Sequence, residues 1–132
     1  MSLIQTPVQD VPLDIFDKLE ENDILFIDST HISKTGSDVN FIFFEIFPRL
    51  KKGVKIHLHD IHYPFEYLKT WVLDDRRSWN EAYLLKCFLM YNSKFKILAF
   101  NSFLEKFQNL WLSQNMPLSL LSKGSSIWLE VN

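Results

Sequence analysis

DILFIDSTHISKTGSDVNFIFFEIFPRLKKGVKIHLHDI, residues 23–61, decides the fold through two short apolar runs separated by one amphipathic stretch. Asp23 to Asp28 is a nearly continuous apolar run bounded by polar residues, the pattern expected of a strand buried on both faces. Ser37 is placed to cap a helix, because Val39, Ile42, Phe43, Ile46, Phe47 and Leu50 then recur at three- and four-residue spacing. Pro48 lacks a backbone N–H and predicts a bent or shortened last turn. Lys51, Lys52 and Gly53 supply cations and a residue tolerant of positive φ at the helix end, after which VKIHLHDI returns as a strand. About 25 residues separate the two strands, a length that suits a parallel crossover better than a hairpin.

Outward from this unit the pattern continues. Ser78 and Glu81 have capping-box spacing and predict a helix over Trp79 to Tyr91, with Tyr83, Leu84, Phe88 and Tyr91 on one face. FKILAF (Phe95 to Phe100) reads as a strand. Ser102 and Glu105 repeat the box spacing and open a helix to about Leu112, followed by Pro117, a polar turn over 122–126 and a closing strand, SIWLEV. There is no internal repeat and no low-complexity linker. Residues 1–132 therefore read as a single α/β domain with about four mainly parallel strands and flanking helices.

Composition narrows the classes of function. The chain has 132 residues, is 47% hydrophobic and holds 12 Phe and 4 Trp, ample for a packed core. A net charge of −2, with no run of Lys and Arg, argues against nucleic acid as a partner. No apolar run reaches the length of a membrane span, and Cys87 is the single cysteine. A cytoplasmic protein is the expectation.

All four histidines fall within residues 31–62. In parallel sheets, ligands gather beyond the carboxyl ends of strands. The first strand ends at Asp28-Ser29-Thr30-His31 and the second at His59-Asp60-Ile61-His62. Strand alternation puts His57 and His59 on one face and Asp60 on the other, which is not a three-histidine metal cage. His31 and His59 are candidate general bases, since imidazole titrates near neutral pH. Asp28 and Asp60, at adjacent strand tips, are candidate carboxylate ligands for a divalent cation. His57 reads as a half-buried core histidine, His62 as a solvated loop residue, and Phe43, Phe44 and Phe47 as core. Trp71 and Trp79 lie in the long segment after the second strand, where substrate-recognition elements often sit.

FIDSTHISKTGSDVNFIFFEIFPRLKKGVKIHLHDI resembles the fourth strand, following helix and fifth strand of class I S-adenosylmethionine-dependent methyltransferases, especially small-molecule O-methyltransferase-like groups. There an Asp-rich turn with a histidine follows one strand, and a Leu-Lys-Pro-Gly-Gly turn leads to a strand ending His-Asp. Here that turn is Leu50-Lys51-Lys52-Gly53-Val54. The later strands look like the sixth and seventh, and Val8-Gln9-Asp10-Val11 looks like the segment whose acid faces the adenine. The resemblance implies a partial Rossmann-like fold with S-adenosylmethionine as cofactor. It implies Asp10 and Asp28 as cofactor-binding residues, and His31, His59 and Asp60 as the catalytic group. In some relatives acids at the Asp28 and Asp60 positions also hold a divalent metal.

The family's Gly-rich cofactor loop has no counterpart among Gly36, Gly53 and Gly124. The chain thus looks like the carboxyl-terminal half of a methyltransferase domain, a fragment inactive by itself that binds the cofactor weakly. In the family the first strand pairs with the fourth, so the fragment is expected to form homo-oligomers through an exposed strand edge. A metal-dependent hydrolase using His57, His59, Asp60 and Asp28, and a non-catalytic interaction module, are the alternative readings.

Overall fold

The computed structural model describes residues 3–121 and 124–132. Among them stand four strands: β1 (Ile24–Ile27), β2 (Lys55–His59), β3 (Phe95–Phe100) and β4 (Ser126–Val131). The α-helices are α1 (Asp14–Asp17), α2 (Asp38–Phe41), α3 (Lys69–Leu73), α4 (Glu81–Met90), α5 (Asn101–Phe107) and α6 (Asn109–Asn115). None of these helices is long and apolar enough to cross a membrane.

The crossover forms as its residues dictate. Ser37 caps α2 by accepting from the Asn40 amide at 3.2 Å. The helix then widens into a π-turn over Ile42–Ile46 and tightens into a 3₁₀ turn over Phe47–Arg49. Pro48 accounts for this change: it offers no N–H, and its ring would crowd the carbonyl four residues earlier. The apolar spacing buries as predicted, with Val39, Phe43, Ile46, Phe47 and Leu50 all in the core, but Phe44 is 60% exposed and is no core residue. Gly53 adopts φ +83°, and a Cβ there would come within 2.9 Å of the Glu21 Cβ. Its amide donates to the Val131 carbonyl, tying the turn to the last strand.

The sheet order is β1-β2-β4-β3. β1 and β2 are parallel, in the register Phe26↔His57, whereas β4 is antiparallel to both β2 and β3. The sheet is therefore mixed, which corrects the expectation of a mainly parallel one. The reason lies in the connection: α5 and α6 stay near the end where β3 finishes, so β4 enters beside Phe100, with Ile127 opposite it, and runs back.

The core fills one side of this sheet. Ile56 and Leu58 of β2 and Ile127, Leu129 and Val131 of β4 pack with the α2 segment and with Ala82 and Leu85 of α4. On α4 the buried face is thus Ala82 and Leu85; Tyr83 and Tyr91 of the predicted face are exposed. β1 is not buried on both faces: Ile27 is buried, but Ile24 and Phe26 are 54% and 60% exposed. On that second face a ring row crosses the strands, Phe26 stacking on His57 at 4.7 Å and His57 meeting Trp128 edge-on at 4.6 Å. His57 is buried by these rings.

Neither predicted capping box forms. α4 starts at Glu81 after Asn80, without a side-chain cap, because the Glu81 carboxylate turns to a buried imidazole instead of its own helix end. α5 likewise has no side-chain cap; the Ser102 hydroxyl accepts from the Tyr63 amide, and the helix stops at Phe107 before α6 begins. The polar turn expected over 122–126 lies partly outside the described residues.

Candidate functional site

The parallel pair β1 and β2 delivers Asp28 and His59-Asp60 to the same end of the sheet. His31 and Asp60, just past the two strands, both adopt left-handed backbone, with φ +59° and +55°. Such conformations cost about 1 kcal/mol or more in a non-glycine residue and persist where the surroundings fix them. Asp60 is fixed by the Ser125 hydroxyl, which donates to its Oδ1 at 2.8 Å. His31 is fixed from α4: the Asn80 and Glu81 amides donate to its carbonyl at 3.0 and 3.2 Å.

Four predicted residues meet here. His31 Nε2 lies 3.5 Å from Asp28 Oδ1 and 4.0 Å from Asp60 Oδ2. His59 Nδ1 lies 3.2 Å from Asp60 Oδ1 and 3.7 Å from Asp28 Oδ1. The first of those approaches is not aligned as a hydrogen bond. His31 is buried, with its ring 4.1 Å from that of Trp79, while the Asp28 side chain is 58% exposed.

Asp10 stands apart. It ends the 3₁₀ turn Val8–Asp10 and is exposed, although Pro7, Val8 and Gln9 line a groove of ≈740 Å³ whose other walls include Phe26, Asp28, Thr30 and Ser37. Gln9 Nε2 donates to the Gly36 carbonyl across it. His57 sits mid-strand within the ring row. His62, expected in solvent, is half-buried against the Trp71 ring at 5.0 Å.

One residue of the site was not foreseen. Glu81 is 1% exposed, and its Oε2 lies 2.8 Å from His31 Nδ1. The Ser29 hydroxyl donates to the same oxygen at 2.9 Å. The capping-box spacing drew attention to Glu81 for a different role; nothing local in the sequence pairs it with a histidine 50 positions away.

The electrostatics follow from this packing. Burial works to lower the His31 pKa, but the hydrogen bond and charge of Glu81, with Asp60 and Asp28, outweigh it and raise it above its ordinary value. Burial, aided by His59, holds His57 below its ordinary value, and burial does the same for His62. The Arg77 guanidinium lies over both Trp71 and Trp79, 4.5 and 4.6 Å from the ring centres. The two indoles, which lie in the segment where recognition elements were expected, thus hold a cation of their own chain.

Among the described residues no group of three or more His, Cys, Asp or Glu side chains is arranged to hold a metal ion. Asp28 and Asp60 stand against the imidazole nitrogens of His31 and His59. No family model, curated protein or solved structure matches the chain.

Proposed function

We propose that these residues form the carboxyl-terminal half of a class I S-adenosylmethionine-dependent methyltransferase domain acting on a small-molecule acceptor. One arrangement supports this reading: Asp28 and His59-Asp60 at neighbouring parallel strand tips, with His31 Nε2 within 4.0 Å of both carboxylates, beside an apolar-walled groove. Ligands of α/β sheets collect at such strand ends.

The chain fits one side of a cofactor site. Asp28 offers an exposed acceptor-only carboxylate at the groove, suited to an amine or hydroxyl donor, but no Gly-rich turn is present. S-adenosylmethionine, when bound, supplies an electrophilic methyl group. The work of this chain is on the acceptor side: His31 Nε2 takes the proton of an acceptor hydroxyl, and Asp60 and Asp28 stabilise the resulting imidazolium. His59 stands on the other flank of the two carboxylates, its Nδ1 3.2 Å from Asp60 Oδ1 and 3.7 Å from Asp28 Oδ1. The divalent metal is not part of this reading. A cytoplasmic setting, which keeps the exposed Cys87 thiol reduced, belongs to it.

The test is S-adenosylhomocysteine titration and labelled methyl transfer to a panel of small hydroxyl and amine acceptors, using the chain in its full-length natural context. Binding that weakens in Asp28→Asn, and transfer lost in His31→Ala, are expected. Absence of both binding and transfer in the full-length protein ends the proposal.

A further inference from the structure

The buried carboxylate of Glu81 has a narrow set of partners. Its Oε2 takes up the His31 ring and the Ser29 hydroxyl, and its Oε1 has no hydrogen-bond partner among the described residues. It caps nothing in α4. Ser29 Oγ in turn accepts from the His31 amide at 2.9 Å, and the first amides of α4 hold the His31 carbonyl. Ring, amide and carbonyl of one histidine are therefore all gripped by Glu81, its helix start, or the serine that Glu81 orients. Only Nε2 is left facing the two strand tips.

We infer that Glu81 is a positioning residue: its Oε2 keeps the hydrogen of neutral His31 on Nδ1, which leaves the Nε2 lone pair directed between Asp28 and Asp60. A carboxylate is acceptor-only, so at 2.8 Å it selects the tautomer with a hydrogen on Nδ1. The inference rests on the methyltransferase reading for the use made of Nε2. In that use the acceptor O–H bond breaks, its electron pair stays on oxygen, and the proton goes to Nε2. The imidazolium then carries hydrogens on both nitrogens until water removes one.

The groups facing this ring are few. Glu81 comes from α4, Asp28 from the end of β1 and Asp60 from the end of β2. The Trp79 ring lies 4.1 Å from the His31 ring and itself carries the Arg77 guanidinium 4.6 Å from its centre. Tyr67, whose hydroxyl accepts from the Ala82 amide, stays neutral because burial pushes its pKa to about 12.

Nitrogen NMR of the full chain with labelled histidine, at a pH where His31 is neutral, reads which nitrogen carries the hydrogen. The expected result is Nδ1–H in the native chain. In Glu81→Gln the amide can accept from or donate to Nδ1, so a mixture of tautomers is expected; Glu81→Asp restores the native state in part. Once transfer is measurable, Glu81→Gln should lower kcat by about 10²-fold with little change in KM for the acceptor. A hydrogen on Nε2 in the native chain overturns the inference, as does an unchanged tautomer in a folded Glu81→Gln variant. Should both variants unfold, the native tautomer alone decides. A Glu81-dependent Nδ1–H in a full-length protein that binds no S-adenosylhomocysteine would sink the methyltransferase reading and leave this one standing.

Discussion

A histidine and a glutamate buried face to face set the energetics of the site at the scale of single residues. His31→Ala leaves the Glu81 carboxylate desolvated without its main partner, and breaking such a buried pair costs about 3–5 kcal/mol. Urea unfolding should show that loss; a change below about 1 kcal/mol would mean that Glu81 recovers solvent or other partners at little cost. The pH dependence carries two opposed signs. His31 has a raised pKa in the fold, so its contribution is full below pH 6.5 and is lost as pH rises through the folded value. His57 and His62 have lowered pKa values, so theirs are full above 6.5 and lost as pH falls. Replacing His57 by Gln removes one acid-side loss. Urea midpoints measured from pH 5 to 8 should therefore fall less steeply on the acid side in that variant, and parallel curves would refute the assignment.

The elements themselves show where local pattern decides and where it does not. Ser78→Ala should change stability by less than about 0.5 kcal/mol, because the expected capping box is absent; a loss near 1 kcal/mol in thermal or urea unfolding would restore it. Capping spacing is a local signal, and at Glu81 it lost to a charge-assisted bond inside the core, where the competing imidazole lies far away in sequence. By contrast Ser37, the helical apolar spacing and Gly53 were legible, since their partners lie within the same turn or the same helix. The ILFI run of β1 misled on burial because an apolar run of four does not say which faces will be covered. The reversed direction of β4 was equally hidden, being set by where α5 and α6 lie and not by the residues of SIWLEV. For the site, strand ends rich in Asp and His located Asp28, His31, His59 and Asp60; Glu81 needed the fold.

At the scale of the whole molecule, β1 is the outermost strand, and its far edge pairs with no described strand. It carries no charge, proline or bulge to discourage pairing, and its own Ile24 and Phe26 are more than half exposed. Natural edge strands are usually blunted by such devices, and an unprotected apolar edge recruits another chain. The 132-residue chain is accordingly expected to self-associate through β1, with light scattering showing a mass that rises with concentration. Phe26→Lys puts a cation on the exposed face of that strand and should return the chain to a monomer. The competing surface is α6, where Leu110 and Trp111 are 72% and 52% exposed, so Leu110→Lys serves as the control. A monomer at all concentrations, or dissociation by Leu110→Lys and not by Phe26→Lys, would rule out the β1 edge. In the methyltransferase reading the same edge is where the other half of the domain docks, so a polypeptide that supplies that half should be monomeric without any substitution at Phe26.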